Sequence, residues 1–459
     1  MTVSAVPSTG TAALPMVRVI VVNFDGGAIT LRCLDSLLAT DYPADRLEIV
    51  VIDNASVDGL LWTIREQYPT VRLIVSDVNE GFARGCNLGM SDLDAVDYVA
   101  LINNDALVEP GWLRPLLETC ARDRVGAAVP KLLLNLEASA VILEGPVAGT
   151  VGECQTGVGV SSIRHGGREL IDRVRFDERF WNDWEIEPSA RRTRWTKRPV
   201  ASLWWPVDLV APGDRIEVDL CRPPGATDGA WSVGNGSMGH QIRFDGDTAT
   251  VDMVAGPALR IVNSAGSELY KGWHGGDRGF LQPDLGQFDD PAEVFAWCGG
   301  AVLLDTGYLR DVGLFDSEYF LYYEDFDLSW RGRSRGWTYR YDPRAEVFHE
   351  HAYSSKEGSE FFRFWVDRNR RLTLIKNAPL PVAVRATAGT FVVFAREASM
   401  HVLAQMRRRR PPSPRWLGYR LRDLWRVARA MPGAWVQRVR LARRRCIGHE
   451  EIVAWMVVK

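Results

Sequence analysis

The chain has 459 residues, 46% of them hydrophobic and 25% charged, with a formal net charge of -3. That length exceeds one ordinary core and predicts two or three domains, and the composition is that of a globular chain rather than a disordered or fibrous one. The charge is uneven: from His401 to Lys459, fifteen Arg or Lys stand against three acids, a tail of about +12 on a body of about -15, which excludes a uniformly nucleic-acid-binding surface and predicts a basic attachment segment.

Seven cysteines, odd in number and free of any CxxC pair, argue against a disulfide framework or a structural zinc site and for a reducing compartment. Residues 1–16 read as a disordered N-terminus without the basic and apolar regions of a signal peptide. The longest apolar span, "ATAGTFVVFA" between Arg385 and Arg396, is too short to cross a bilayer.

From residue 17 to 133 strand and helix patterns alternate. "VRVIVVNF", "LEIVVID", "VRLIVS" and "YVALIN" are apolar runs that predict buried strands, and "TLRCLDSLLAT", "GLLWTIREQY" and "GFARGCNLGMSDL" carry helical spacing between them. Alternation at this pitch predicts a parallel, Rossmann-like sheet with helices on both faces, and ligands in such sheets sit at the carboxyl ends of the strands. Those ends carry Asn23, then Asp53, Asn54 and Ser56, then Asn79, Glu80 and Gly81, then Asn103, Asn104 and Asp105. Any one group is explained by a helix cap or a turn; four at one edge predict a site.

Residues 134–266 lose helical periodicity. Short runs such as "VASLWWPVDLV", "DRIEVDLC" and "TATVDMVAG" between Pro, Gly and Asp predict an inserted antiparallel β module. Its tryptophans (Trp181, Trp184, Trp195, Trp204, Trp205, Trp231) suit a sandwich core better than sugar stacking. Residues 267–378 return to α/β texture: "GGAVLLD" reads as a strand, "TGYLRDVG" as a short helix, "RAEVFHEH" as a strand and "SEFFRFWVDRNRRLTLIKNAP" as a helix closing on Pro379. Between them, "LYYEDFDLSW" crowds Glu324, Asp325 and Asp327 among aromatic side chains. The bland explanation is a helix start, where the dipole favours acids. Residues 379–459 form a helical extension, with Leu417, Leu421, Leu424, Trp425, Ala428 and Met431 on one apolar face and arginines between them. This predicts an interfacial helix on anionic lipid, the alternative being a helix packed on its own protein.

Taken together, "VIVVNFDGG", "VVIDNASVDG", "NEGFARGCNLGM", "LINNDALVEPGWL", "CGGAVLLDTGYLRDVGLFDSEYFLYYEDFDLSWR" and "VFHEHAYSS" resemble the family 2 glycosyltransferases of the GT-A fold, most nearly the rhamnosyltransferase-like branch that builds bacterial cell-surface polysaccharides. The motifs run in family order from Val19 to about Lys376, interrupted by the β module. The resemblance implies the GT-A nucleotide-diphospho-sugar transferase fold and an inverting, metal-dependent transfer of a sugar. By that resemblance Asp53 meets the base or ribose of the nucleotide, with Asn23, Asn54, Ser56, Asn103 and Asn104 around it. Gly81 lets the backbone approach the nucleotide, and Arg84 either offsets phosphate charge or makes a helix-surface ion pair. Asp105 and His349, preferred over His351, hold a divalent cation, Mg2+ or Mn2+, that offsets the diphosphate charge. The family's D-x-D pattern is here Asn103-x-Asp105, so a single carboxylate grips the ion.

The family's "ED" assigns the general base to Asp325, with Glu324 orienting it or the acceptor, while Asp327 caps the helix or pairs with Arg331. Trp297, Gly299, Gly300, Tyr323, Trp330 and Arg331 are expected around the donor and acceptor sugars. Arg368 to Arg371 either meet a lipid diphosphate or form a solvated basic face. The implied partners are a dTDP- or UDP-sugar donor, dTDP-rhamnose first, a polyprenyl-diphosphate-linked saccharide acceptor and an anionic membrane surface bound by the C-terminal helices, with no nucleic acid. The implied location is cytoplasmic, peripheral on the inner face of the bacterial cytoplasmic membrane. Within the family the runner-up is a galactofuranosyl- or other hexosyltransferase using a UDP-sugar; outside it the rivals are a nucleotidyltransferase, for which "NFDGGAIT" lacks the expected basic residue, and a non-catalytic sugar-nucleotide or carbohydrate-binding protein.

Overall fold

The computed structural model describes residues 14–151, 154–181, 184–186, 192–226, 230–350, 359–407, 411 and 413–458. Residues 1–13, His351 and Arg408 to Arg410, on which expectations above fall, lie outside the described residues.

The first half alternates as expected: β1 (Val17–Asn23), α1 (Ala28–Leu38), β2 (Leu47–Asp53), α2 (Leu60–Gln67), β3 (Arg72–Val75), α3 (Gly81–Gly89), β4 (Tyr98–Ile102), β5 (Ala106–Val108) and α4 (Leu113–Cys120). β3, β2, β1 and β4 lie side by side in parallel, with Asn23 level with Asp53. Because side chains alternate across a strand, Val17, Val19 and Val21 pack with Cys33, Leu34, Leu37, Ile64 and Leu116 on one face. Ile20, Val50 and Ile52 pack with Ala83 and Cys86 on the other. Each such side chain, fully buried, contributes about 1.5 to 3 kcal/mol.

The next strand, β6 (Val125–Glu144), is 20 residues long and crosses the expected 133/134 boundary without a break. Its first part belongs to the α/β sheet and its last part to the β module. The module strands are β7 (Gly159–His165), β8 (Arg192–Trp195), β9 (Val200–Pro206), β10 (Arg215–Cys221) and β11 (Thr248–Val254). β9 runs antiparallel to residues 138–144 of β6, while β8, β7, β10 and β11 form a second antiparallel sheet. Val141 and Leu143, Leu203 and Trp205, and Ile216, Val218 and Leu220 interleave between the two sheets as a sandwich core. Trp205 and Trp231 are buried in this core as expected, whereas Trp204 is buried in a separate cluster with Ala138, Ala140 and Ile261, Trp195 is buried outside both, and Trp181 and Trp184 are only partly buried.

The chain returns through β12 (Leu259–Ser264), which pairs with β6, and the hairpin β13 (Ser267–Tyr270) and β14 (His274–Asp277). Then follow β15 (Ala301–Asp305), antiparallel to β4, α5 (Thr306–Val312), α6 (Glu324–Arg333) and β16 (Thr338–His349). β16 pairs in parallel with β6 and antiparallel with β5. Four main helices close the chain: α7 (Glu360–Asn377), α8 (Leu380–Arg407), α9 (Pro414–Ala428) and α10 (Met431–Arg444). The mixed α/β class, the β module and the helical extension agree with the sequence. The C-terminal helices divide, however. α10 buries Met431 and Ala434 and packs on α7, whereas α8 and α9 leave Phe391, Val392, Leu403, Leu417, Leu421 and Trp425 exposed. Among the described residues no helix is long and apolar enough to cross a membrane.

Candidate active site

The carboxyl edge of the parallel strands is tied into one network. Asn23 donates to Asp53 Oδ1 (3.0 Å) and to Ser56 Oγ (2.9 Å), and the Ser56 backbone N–H donates to Asp53 Oδ2 (3.1 Å). Asn23 Oδ1 accepts from Thr30 Oγ1 (2.8 Å) and from the Asn104 side-chain amide (3.2 Å). Asn23, Asp53 and Asn54 are all buried, with Ser56 half-buried at the rim, so this network lies just beneath the surface of the strand edge. Asn54 donates to the Gly81 carbonyl (3.0 Å). Thr30 was missed in the sequence because it sits inside a helix and belongs to no strand end.

Gly81 is needed for a neighbour other than the one expected. Its φ is +79°, and a Cβ there would lie 2.3 Å from the Phe320 carbonyl oxygen, which also accepts from the Phe82 N–H at 2.8 Å. The glycine thus docks the segment that leads into α6. Arg84 pairs with Glu80 at 3.0 Å and with the Ser317 carbonyl at 3.1 Å on a half-exposed surface, the ion-pair alternative.

Beyond β4, Asp105 and His349 meet. His349 Nε2 is 2.9 Å from Asp105 Oδ1 and 3.3 Å from the Asn103 amide, while His349 Nδ1 lies 2.6 Å from Asn263 Oδ1 on β12. The pairing of His349 with Ala106 across β16 and β5 sets this register. With the Nδ1 proton donated to Asn263, Nε2 presents a lone pair toward a carboxylate. Two electron-rich atoms at that distance call for a proton or a cation beside them. Cis ligands at about 2.1 Å from an octahedral ion lie about 3 Å apart, so the pair fits two positions of one divalent cation. Among the described residues no cluster of three or more His, Cys, Asp or Glu is placed to hold a metal. Asn263, which fixes the imidazole, had no motif to announce it.

α6 starts from two consecutive residues in the left-handed region, Tyr322 (φ +69°) and Tyr323 (φ +70°). Such backbone costs on the order of 1 to 3 kcal/mol per residue and persists only where neighbours over-determine it. Asn369 on α7 does so, donating to the carbonyls of Leu321 (2.9 Å) and Tyr322 (2.8 Å). Asp325 is held by the Gly299 N–H at Oδ2 (2.9 Å) and the Phe326 N–H at Oδ1 (2.7 Å). Burial pushes its pKa up to about 6; these two N–H groups restrain the rise and nearby Asp277 adds to it. Glu324 is buried, with Oε2 lacking a partner among the described residues. Burial and the Asp325 charge drive its pKa well above the usual carboxylate range.

The segment 298–300 joins the two centres, since the Gly300 carbonyl accepts from the Asn103 N–H at 3.0 Å. Asp277 on β14 was also missed: its Oδ1 accepts from Ser264 (2.9 Å) and Ser267 (3.3 Å).

Several expected sugar contacts lie inside the protein. Trp297 and Trp330 are fully buried, and Trp330 stacks on Trp273 with ring centres 6.1 Å apart. Arg331 binds Asp327 (2.9 Å) and the carbonyls of Val312 (3.1 Å) and Leu314 (2.8 Å). These three therefore support the site from within, Arg331 being almost wholly committed to these partners at 7% exposure. Tyr323 is half-buried, and its hydroxyl accepts from the Gly275 N–H at 3.1 Å. Asp327 is fully buried and also accepts from Lys376 (2.8 Å) and Asn377 (2.9 Å), which locks α6 to α7. Arg368 pairs with Glu318 at 2.9 Å, Arg370 with the Trp273 carbonyl at 3.2 Å and Arg371 with Asp367 at 2.8 Å. That basic run is committed to its own protein.

Comparison with known proteins gives the following similarities. Residues 18–138 match the family model described as glycosyl transferase family 2. An N-acetylglucosaminyl-diphospho-decaprenol L-rhamnosyltransferase of Mycobacterium tuberculosis is 23% identical over 353 residues, 73% of this chain and 76% of that protein. Glycosyltransferase AglE of Haloferax volcanii is 26% identical over 106 residues, 22% of this chain and 34% of its own length. Among solved structures, GalNAc-T7 with UDP, GalNAc and Mn2+ aligns with a TM-score of 0.41 and 13% identity, over 80% of this chain and 48% of that one. The chain thus spans about a third of AglE and about half of GalNAc-T7. On the strength of the family match, residues 18–138 of this chain are a family 2 glycosyltransferase domain.

Proposed function

We propose that the protein is an inverting, metal-dependent glycosyltransferase that moves a sugar, rhamnose from dTDP-rhamnose first among donors, to a lipid-linked saccharide. The observation that carries this reading is the short bridge at residues 298–300, whose Gly299 N–H holds Asp325 and whose Gly300 carbonyl meets the Asn103 backbone beside Asp105 and His349. A base and a cation-holding pair on one segment suit bond formation and diphosphate departure at the same carbon.

In this reading Asp53 and Ser56 orient the nucleotide, and Asp105 and His349 hold Mg2+ or Mn2+. When bound, that ion supplies positive charge to the diphosphate. Asp325 accepts the acceptor hydroxyl's proton as its oxygen bonds to the anomeric carbon; the carbon–oxygen bond to the diphosphate breaks with its electron pair, and the nucleoside diphosphate leaves. Attack opposite the leaving group inverts the anomeric centre. Burial disfavours a second negative charge on Glu324 beside Asp325. The rhamnosyltransferase relative, whose printed name specifies a decaprenol-linked N-acetylglucosamine, supports a lipid-linked acceptor in cell-surface polysaccharide synthesis. The exposed apolar residues of α8 and α9, beside Arg415, Arg422 and Arg429, support peripheral attachment to an anionic cytoplasmic membrane face.

The test is donor use. The protein is incubated with Mg2+ or Mn2+ and, separately, dTDP-rhamnose, UDP-galactofuranose, UDP-glucose and UDP-N-acetylglucosamine, following nucleoside diphosphate release and donor binding. Metal-dependent binding or release with dTDP-rhamnose supports the reading; the same result with a UDP-sugar alone moves the donor to that sugar. If no donor binds, the transferase reading fails.

A further inference from the structure

Residues 315–322, between α5 and α6, form no helix or strand, yet their carbonyl oxygens are taken from two sides. From α3 the Asn87 amide donates to Phe315 (2.9 Å), Arg84 to Ser317 (3.1 Å) and the Phe82 N–H to Phe320 (2.8 Å). From α7 Arg368 donates to Glu318 (2.9 Å), and the Asn369 amide donates to both Leu321 (2.9 Å) and Tyr322 (2.8 Å). Further along the same face of α7, Thr373 meets the Tyr319 hydroxyl (2.8 Å) and Lys376 meets Asp316 (2.7 Å). Arg368, Asn369, Thr373 and Lys376 are all buried. Burying a polar helix face costs stability unless its groups are paired, and this face is matched to the one irregular segment that leads into α6.

The segment runs into the left-handed pair Tyr322 and Tyr323, a conformation that residues with a Cβ avoid unless their surroundings impose it. α6 starts from this pair: the Tyr323 carbonyl accepts the Asp327 N–H at 2.9 Å, and Asp325 is the second residue of the helix. The body of α6 is anchored separately, through Asp327 to Lys376 and Arg331. Relaxation of the pair would therefore redirect the first turn, where Asp325 accepts from the Gly299 and Phe326 N–H groups, and leave the remainder in place. The restraint falls on Asn369. Its Oδ1 accepts from Arg368 Nη1 at 2.7 Å, which fixes the orientation of the amide so that Nδ2 faces the two carbonyls.

We infer that Asn369, oriented by Arg368, is a positioning residue: its amide holds Tyr322 and Tyr323 in the left-handed region and thereby seats Asp325 against Gly299. The inference rests on the glycosyltransferase reading for the role of Asp325 as base, and on the hydrogen bonds alone for the seating. The arginine-rich start of "RNRR" then acts from beneath the site, through the backbone of another segment, and touches neither donor nor acceptor.

The test combines hydrogen exchange with kinetics on the full chain. Asn369→Ala removes the amide; Asn369→Asp keeps its volume and an acceptor for Arg368 but cannot donate. Asn369→Ala with Tyr322→Gly supplies the rescue, since glycine adopts a left-handed φ without strain. Both single variants are expected to speed exchange of the Gly299 amide by about tenfold while residues 372–377 of α7 keep their protection. With the donor that the wild type uses, kcat should fall by about 100-fold at an unchanged donor KM, and the added Tyr322→Gly should recover part of both losses. Unchanged Gly299 exchange in the single variants, a loss confined to donor KM, or no recovery on adding Tyr322→Gly would overturn the assignment. Faster exchange throughout α6 and α7 would also overturn it, because that is general loosening. The expected exchange pattern in a chain that binds no donor would uphold the seating of Asp325 by Asn369 and overturn only the transferase reading.

Discussion

Asp325→Asn separates the catalytic cost of the base from its structural cost, and the two have opposite signs. The carboxyl titrates near pH 6 in the folded protein because burial disfavours its charged form, against about 3.9 for an ordinary aspartate. A folded pKa raised in this way means that the native state binds the proton more tightly than the unfolded chain. Stability is therefore undiminished below about pH 4 and falls as pH rises through 6, by on the order of 2 to 3 kcal/mol at pH 7. Asparagine carries no charge and keeps the side-chain oxygen, so it can still accept from Gly299. The variant is expected to lose about 10²- to 10⁴-fold in transfer rate while gaining stability at pH 7. Urea melts at pH 7 and pH 4.5 supply the check: the gain should be present at the first and shrink strongly at the second. In the wild type, transfer rate should rise about tenfold between pH 5 and pH 7, as the ionised fraction climbs from about a tenth to about nine-tenths. A variant equally stabilised at both pH values, or a flat rate profile across pH 6, would refute the argument that a buried, charged Asp325 is the base.

Lys376 is fully buried between Asp316 (2.7 Å) and Asp327 (2.8 Å). Lys376→Met leaves Asp316 without its ammonium while Asp327 keeps Arg331 and Asn377, and should destabilise by about 3 kcal/mol in urea unfolding, with part of the loss recovered by adding Asp316→Asn. Burial alone would raise the Asp316 pKa, but the Lys376 ammonium more than offsets it and holds the group at about 2; this pair's contribution is present above the ordinary aspartate pKa and is lost as pH falls toward 2. Asn263→Ala leaves His349 Nδ1 without its partner and should weaken Mn2+ binding about 10- to 100-fold, read by calorimetric titration, with nucleotide binding measured in EDTA unchanged. Leu421→Glu with Trp425→Glu should lower sedimentation with anionic vesicles while sparing donor binding; unchanged sedimentation would count against α9 as the attachment face.

Much of the α/β half was legible because two signals agreed there. β1, β2 and β4 are apolar runs that each end in polar residues, and the intervening helices carry period-3.6 spacing, so element type and site edge came from the same pattern. β6 was not legible. Its residues 125–134 are almost wholly buried by neighbours on both faces, and the strand then turns its far end into the sandwich. A continuous apolar run passing between two environments shows no single period. Within the site, Asn23, Asp53, Asp105, His349 and Asp325 are brought into the expected neighbourhoods, but the sequence does not distinguish side chains at a site's surface from those beneath it. Trp297, Trp330 and Arg331 stand beside the motif residues in the chain, yet the helical turn of α6 aims Trp330 and Arg331 inward. Thr30, Asn263 and Asp277 come from elements distant in sequence, and only the folded sheet places them there.

The C-terminal helices show the same limit at the level of a whole segment. Periodicity establishes that α9 and α10 each possess an apolar face; it does not say what that face meets. α10 is claimed by the core: Met431 and Ala434 are buried, and Arg438 donates to the carbonyls of Ile375 (2.9 Å) and Ala378 (2.7 Å) at the end of α7. With α10 occupying that flank, α9 buries Val427 but turns Leu417, Leu421 and Trp425, one helical turn apart, to the outside, Trp425 being 65% exposed. α8 adds Phe391, Val392 and Leu403 to the exposed apolar surface. Burying such residues in an interface gains about 25 cal/mol per Å² of apolar area, and adjacent arginines add attraction to anionic headgroups that falls with salt. Removing the whole tail would also remove the part of α10 that packs on α7, so substitutions confined to the outward face of α9 separate attachment from folding where a truncation cannot.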